Sequence, residues 1–139
     1  MAIFLNNKVG FKVATVDLSD HVTAFSLQRQ ADQLEVTAMG DTSHKFVTGL
    51  SADTITVTFL NDTAAGSVLA TLQAAYGTTV AFSAIQEKGT AVSATNKLYT
   101  GTILVDNLTD INGAVADEAT FDITFTCNST TVVASTGTF

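Results

Sequence analysis

The sequence predicts a mainly β fold, built as a two-sheet antiparallel β-sandwich or barrel-like domain with one flanking α-helix. Apolar and polar residues alternate with period two in several segments, as in strands that bury one face, while one segment has helical spacing. The chain has 139 residues, no Pro and one Cys, so it is long enough to bury one core and must do so without disulfides. We therefore expect a single domain over residues 1–139.

Eight segments carry the strand pattern. In chain order they are residues 11–16, 22–29, 33–38, 54–59, 79–86, 98–105, 120–127 and 131–135. The predicted core residues share inward positions on these strands or on the helix, and they are Ile55, Val57, Phe59, Leu72, Phe82, Phe121, Ile123, Phe125 and Cys127. Because Cys127 continues the inward register of its strand, we expect a buried, inert thiol and not a nucleophile.

The stretch NDTAAGSVLATLQAAYGTT predicts the helix, at about residues 64–76. Asp62 or Thr63 is suited to cap its N-terminus, apolar residues follow at helical spacing, and Gly77 ends it. No charged residue occurs from Thr63 through Gln86. Two interpretations stay open: a helix that is merely short of charge, or a contact face that another subunit partly covers. The contact candidates on that face are Ser67, Thr71 and Gln73.

A long connection occupies about residues 30–53. It is polar at its centre, yet it contains too many apolar residues for a disordered tether. We therefore expect an ordered, hairpin-like arm that docks on another surface. Its contact candidates are Met39, Asp41, His44, Phe46, Val47 and Leu50. Residues 1–10 and 128–139 are expected to form extended terminal arms.

Charge narrows the possible functions. Charged residues make up 14% of the chain, against roughly 25% in an average domain, which favours a subunit whose flanks are covered by copies of itself. The net charge of -7 removes the counterion release that drives binding to nucleic-acid phosphates. The first residues, MAIFLNNKVGFK, lack the basic and long apolar regions of a signal peptide, so we expect synthesis in a cytoplasm and no membrane span.

The few candidate residues for catalytic, metal or cofactor sites also have purely structural explanations. His21 and His44 have no second His or Cys at ligand spacing. The run DNLTDINGAVADE fails as a calcium loop, because Leu108 and Ala119 fall where the first and last ligands belong. A looser cation site remained an alternative to an ordinary polar turn, and its candidates were Asp106, Asp110, Asp117 and Glu118. No nucleotide-binding or nucleophile motif is present, so we expect no enzyme, cofactor or metal.

The order of several stretches resembles a known family. These stretches are VDLSDHVTAFSLQRQADQLEVTAMGD, then GLSADTITVTFLND followed by AAGSVLATLQAAYGTTVAFSAI, then SATNKLYTGTILV, and finally GAVADEATFDITFTC. Together they span roughly residues 11–127, and in order and spacing they resemble the major tail proteins, or tail tube proteins, of long-tailed bacteriophages. No single stretch is a diagnostic motif.

The resemblance implies two packed antiparallel sheets with one helix, in subunits that form hexameric rings stacked into a hollow tube. It further implies a virion protein made in the host bacterial cytoplasm, with itself and other tail or connector proteins as partners, and with DNA passing through without specific binding. One alternative is a capsid decoration or head-tail connector protein. Another is a monomeric ligand-binding β-sandwich, although only Tyr76 and Tyr99 offer amphipathic rings for such a site.

Overall fold

The structure is a computed structural model that describes residues 7–139. Most of the predicted N-terminal arm, residues 1–6, lies outside the described residues. The strands, in chain order, are β1 Gly10–Val13, β2 Val16–Asp17, β3 Val22–Gln28, β4 Ala31–Glu35, β5 Phe46–Ser51, β6 Thr54–Leu60, β7 Thr79–Ile85, β8 Leu98–Leu104, β9 Thr120–Cys127 and β10 Val132–Ala134. A short 3-10 helix covers Ser19–His21, and the α-helix α1 covers Val68–Ala75. The predicted mainly β class with one helix is confirmed.

The large sheet folds over itself into a sandwich-like arrangement. Its strand order is β2-β1-β7-β8-β9-β6-β3, with β10 also paired to β8. Strands β8 and β9 pair only at Ile103↔Cys127 and Leu104↔Thr126, so the sheet splits at this corner. Strands from opposite ends of the order then meet, since the rings of Phe11 on β1 and Phe25 on β3 lie 5.0 Å apart. One layer therefore holds β2, β1, β7, β8 and β10, and the other holds β3, β6 and β9.

Aromatic rings from both layers fill the core. Phe11 lies 6.3 Å from Phe59 and 6.5 Å from Phe82, and Phe59 lies 5.5 Å from Phe121. Eight of the predicted core residues are buried, and they are Ile55, Val57, Phe59, Leu72, Phe82, Phe121, Ile123 and Phe125. The helix α1 adds Val68, Leu69 and Ala75 to this core.

Cys127 departs from the prediction, because it is only half-buried. It is the last residue of β9 and borders an open cleft beside β5. Partial burial raises the pKa of its thiol, and the negative charge of Asp53 raises it further. The thiol is therefore held in its protonated, poorly nucleophilic form.

Residues 11–16, predicted as one strand, form a tight hairpin instead. Val13 pairs with Val16, so only Ala14 and Thr15 make the turn. Both have positive φ, 49° and 74°. Two-residue hairpin turns of this kind usually contain Asn or Gly, so Ala14 and Thr15 do not indicate a turn in the sequence.

The helix begins later than predicted. Its first residue is Val68, and its N-cap is Ser67, which makes no side-chain capping hydrogen bond. The proposed cap, Asp62, instead accepts hydrogen bonds from the Ala64 N–H at 2.9 Å and the Ser67 hydroxyl at 2.8 Å. These bonds hold a turn that replaces the expected first helical turn. The predicted stop lies close to the observed end, with Gly77 at φ 79°.

Much of the segment 128–139, expected as an extended C-terminal arm, contacts its own domain in the structure. Strand β10 pairs with β8, with Val132 opposite Thr100. Farther along, the Phe139 ring lies under the Lys12 ammonium, 4.4 Å from nitrogen to ring centroid. A Cβ at Gly10 would come within 2.8 Å of that ring, so Gly10 provides the space for it. This segment therefore packs on its own domain.

Candidate assembly surfaces

The predicted arm is a two-stranded hairpin that continues the β3–β6 pair. Strands β4 and β5 form a separate sheet, with Leu34 opposite Val47 and Glu35 opposite Phe46. The hairpin was expected, but β5 was not among the predicted strands, and β4 begins two residues earlier than expected. Every residue of both strands is exposed. We call residues 31–51 the arm.

The arm carries a large share of the exposed apolar side chains. Leu50 is 80% exposed and Met39 is fully exposed. The other apolar residues of the arm are about half exposed, and they are Leu34, Val36, Phe46 and Val47. A two-stranded hairpin is at best marginally stable alone in water, and grouped apolar exposure of this kind marks an interaction surface. Four predicted contact candidates are among these exposed residues: Phe46 and Val47, which lie on opposite faces of the hairpin, together with Met39 and Leu50.

Polar contacts brace the tip of the arm from within. Asp41 accepts a hydrogen bond from the Ala38 N–H at 2.8 Å and pairs with the Lys45 ammonium at 2.6 Å. The Lys45 contact and the Ala38 N–H lower the pKa of Asp41. The Nδ1 atom of His44 lies 2.6 Å from Glu35 Oε2. The structure therefore gives the contact candidates Asp41 and His44 partners inside their own arm.

The second predicted contact face, on α1, borders a cleft of about 380 Å³. Thr71 lines it with Ala70, Ala74, Val16 and Val80, and none of its lining residues within the described chain is charged. The other two candidates on this face have partners in the subunit. Ser67 donates to Asp62, and Gln73 Nε2 donates to Asp110 Oδ1 at 3.0 Å. The polar side chains on this largely apolar cleft are Thr71 and Thr78, and the Thr78 hydroxyl donates to the Ala75 carbonyl at 2.6 Å.

The outer face of the β3–β6–β9 layer is lined by small polar side chains. Thr56 lies between Ser26 and Thr124 on the neighbouring strands, and Thr58 lies between Ala24 and Asp122. The side chains that alternate outward on this layer are Ala24, Ser26, Gln28, Thr54, Thr56, Thr58, Leu60, Thr120, Asp122, Thr124 and Thr126, with Leu60 at the end of β6. They include one carboxylate and no cation. We call this surface the hydroxyl face.

Strand β3 is an open edge of this layer. Among residues 7–139 it pairs with β6 alone. On its other side lies a cleft of about 430 Å³, bordered by Phe25, Leu27, Arg29 and Tyr99. Phe25 and Leu27 point inward but are only half-buried, because no neighbouring strand closes the sandwich there. An unpaired edge is a template for adding a strand from another chain.

The acidic loop between β8 and β9 does not gather a cation site in the described part of the chain. There, no group of three or more His, Cys, Asp or Glu side chains is placed to hold a metal ion. Asp110 accepts from Gln73, and Asp117 accepts from the Glu118 N–H at 2.9 Å. These contacts are those of an ordinary polar loop.

His21 has a structural partner. Its Nε2 atom lies 2.9 Å from Asp62 Oδ2, the same oxygen that accepts the Ser67 hydroxyl. A nucleophilic Ser would need its hydroxyl on the His ring, whereas here Asp62 lies between the two. The contact ties the 3-10 helix to the segment before α1. In the sequence His21 has no second His or Cys at metal-ligand spacing, and in the structure its ring contacts Asp62.

No family model matches the chain, and no curated protein matches it. Within residues 7–139, no helix is long and apolar enough to cross a lipid bilayer. The observations that bear on function are therefore the surfaces described above. The resemblance in the order of the sequence stretches is an expectation.

Proposed function

We propose that this protein is the structural subunit of a bacteriophage tail tube, which assembles with copies of itself into stacked rings around a DNA-conducting channel. The observation that carries the proposal is the arm. It is a hairpin whose large apolar residues are half to fully exposed, and it continues the β3–β6 pair whose outer edge is open among residues 7–139. Such a hairpin gains most of its stability when a neighbouring subunit covers it.

The hydroxyl face supports the channel part of the proposal. A surface facing DNA must not retain phosphates, and Lys or Arg would do so. On this face Asp122 is the only charged residue, and Thr58 Oγ1 donates a hydrogen bond to it. If the β3–β6–β9 layers of neighbouring subunits lie side by side, this face lines the channel with hydroxyls and a ring of carboxylates. DNA would slide past such a lining without adhering.

Ring closure also explains the open edge. Strands β3 and β9 both run antiparallel to β6. Rotation about a ring axis preserves strand direction, so β3 of one subunit would lie parallel to β9 of the next. The contact is head-to-tail, and the rotation between subunits decides whether it closes into a ring. By the resemblance, six subunits would close it, and other tail or connector proteins would contact the finished tube.

The proposal is tested by electron microscopy and sedimentation of the purified full chain over a range of concentrations. Long hollow tubes support it. Discrete rings or trimers that never stack would instead favour a connector or decoration protein of the virion. A protein that stays monomeric at every concentration would contradict all assembly roles and leave a monomeric binding domain.

The arm is tested in the same assay by Leu50→Glu. This residue is 80% exposed, so the change should leave the melting temperature of the subunit nearly unaltered. A carboxylate buried without a partner at a subunit contact should block tube formation. The matched control is Ala91→Glu, an exposed position in the loop between β7 and β8. Tubes formed equally by both variants would remove the arm from the interface.

A further inference from the structure

The outer edge of β9 has no strand partner along most of its length. On one side, β9 pairs with β6 from Thr120 to Thr126. On the other side, β8 reaches only Thr126 and Cys127. Within the described residues, the stretch from Thr120 to Phe125 therefore has a free backbone edge in the β3–β6–β9 layer.

The hydrogen-bond alternation identifies which groups point to this edge. Leu104 of β8 lies opposite Thr126, and the Asn128 N–H donates to the Thr102 carbonyl at 2.9 Å. In a strand, successive residues direct their backbone groups to opposite sides. The backbone groups of Thr120, Asp122 and Thr124 therefore point to the same side as those of Thr126, away from β6.

Two Asn side chains occupy this edge. Asn107 Nδ2 donates to the Thr124 carbonyl at 3.1 Å, and Asn112 Nδ2 donates to the Thr120 carbonyl. Both belong to the loop of residues 106–119 between β8 and β9. Their amides take positions that the N–H groups of an adjacent strand would otherwise fill. The two carbonyls are four residues apart, so one strand of ordinary length could reach both.

Apart from Leu108, which packs partly buried against the core, the loop is held on β9 by polar contacts. Ile111 is 94% exposed and Val115 is fully exposed. A further tie is the hydrogen bond from Gln73 to Asp110. A segment with solvent-exposed hydrogen bonds and few buried apolar contacts opens at low cost. The loop can therefore leave the edge while the sandwich stays folded.

We propose that residues 106–119 are an edge guard, in which Asn107 and Asn112 close β9 to strand addition in the free subunit and give way to a strand from a second copy during assembly. This inference rests on the proposed function for the identity of the incoming strand. The guard delays pairing until a neighbour offers a whole strand. That strand replaces the hydrogen bonds of both amides and also bonds to the backbone groups of Asp122, which lies between them. The guard protects an edge on which Asp122 is the one charged residue from indiscriminate association, a task that charged edge residues perform in other proteins.

The test is the double variant Asn107→Ala plus Asn112→Ala, compared with the wild-type chain by light scattering and electron microscopy. Both positions are exposed, so the fold should persist, as circular dichroism would verify. Without the amides, we expect association at about 25-fold lower concentration and with a shorter lag, since each of the two lost hydrogen bonds favours opening about fivefold. The control is Asn128→Ala, which loses a donor to the Thr79 hydroxyl and not to a β9 carbonyl.

The outcomes separate the guard from the tail-tube function. Tubes that form sooner in the double variant, but not in the control, support both. Wild-type tubes with unchanged or slower assembly of the double variant overturn the guard and leave the function standing. A monomeric wild type whose double variant associates into other forms supports the guard and contradicts the function. If neither chain associates, both proposals fail.

Discussion

Strands β5 and β6 are separated by only two residues, and both carry several apolar side chains, but their surroundings differ completely. On β6, Ile55 and Phe59 are 0% exposed, because the opposite layer of the sandwich covers them. On β5, Phe46 is 50% exposed and Leu50 is 80% exposed. Apolar residues in a strand thus indicate surface to bury, but they do not say which chain buries it. The arm is the part of the molecule whose covering layer is supplied by another subunit, if the proposed function holds.

Two Phe residues give the largest contrast between these regions. Phe125 on β9 is fully buried, so Phe125→Ala should lower the free energy of unfolding by about 3–5 kcal/mol. Phe46→Ala on the arm should lower it by about 0.5 kcal/mol or less in the monomer, as at other surface sites. Chemical denaturation of the monomeric variants measures both. Equal losses of stability would mean that the arm is part of the same core and would end the distinction drawn here.

In an assembly assay the order of the two variants should reverse. Phe46→Ala should reduce tube formation of a stable subunit, whereas Phe125→Ala should reduce it only in proportion to unfolding. Normal tubes from Phe46→Ala would leave the apolar surface of the arm without a role in assembly.

The cleft on α1 supplies the next prediction. Thr71 lines it among apolar residues, so Thr71→Glu places a carboxylate where the monomer still offers contact with water. We expect a native circular dichroism spectrum and an unchanged melting temperature. If a neighbour covers the cleft, the unpaired carboxylate should weaken the free energy of association by several kcal/mol at every equivalent interface and block assembly. Sedimentation beside Ala91→Glu at matched concentration measures this. Equal assembly would support the simpler interpretation, a helix that is merely short of charge.

The sequence predicted the sandwich strands well, because their periodicity reports on burial within the same chain. It failed where contacts outside the periodic pattern decide the outcome. The strand at residues 131–135 was expected, but nothing local indicated that β10 would pair with β8 and hold residues 128–139 on the domain. The helix start failed because Asp62 bonds the turn before α1 instead of capping the helix.

The assembly surfaces were predicted in part. The exposed apolar residues of the arm could be identified because their number exceeds what a disordered loop contains. Asn107 and Asn112 could not be identified, since a side-chain amide that reaches a distant backbone carbonyl leaves no periodic signal. The carboxylates of the surrounding acidic run raised the question of calcium binding, whereas the groups that contact β9 are its amides.

A moderate effect is expected where the arm joins the sandwich. Asp53 is 3% exposed, and its carboxylate accepts hydrogen bonds from the N–H groups of Gln30 and Thr131, both at 3.0 Å. Burial raises the pKa of Asp53, but the bonds from Thr131 and Gln30 outweigh burial and hold the pKa below its usual value. Asp53→Asn replaces one acceptor oxygen by a donor, so we expect a loss of about 1–3 kcal/mol at neutral pH.

The pH dependence follows from the sign of that shift. A lowered carboxyl pKa contributes stability above the unfolded value, about pH 4, and the contribution is lost as the pH falls through the folded value. The wild type and Asp53→Asn should therefore converge in stability below about pH 4. Asp32→Asn, at an exposed position on the arm, is the control. A constant gap between wild type and Asp53→Asn down to low pH would show that the carboxylate is not the stabilising form.

The smallest effect is expected from the corresponding carboxylate at the far end of the arm. Contacts from Lys45 and the Ala38 N–H lower the pKa of Asp41, so these contacts hold the tip above about pH 4 and are lost as the pH falls below it. Because nearly all residues of the tip are exposed, protonation should loosen it without changing the global melting temperature. NMR amide signals of Ala38 and Met39 should shift with acid, and Asp41→Asn should give those shifts already at neutral pH. A drop in global melting temperature for Asp41→Asn at neutral pH would mean that the tip and the sandwich unfold as one unit, which would contradict the independence of the arm.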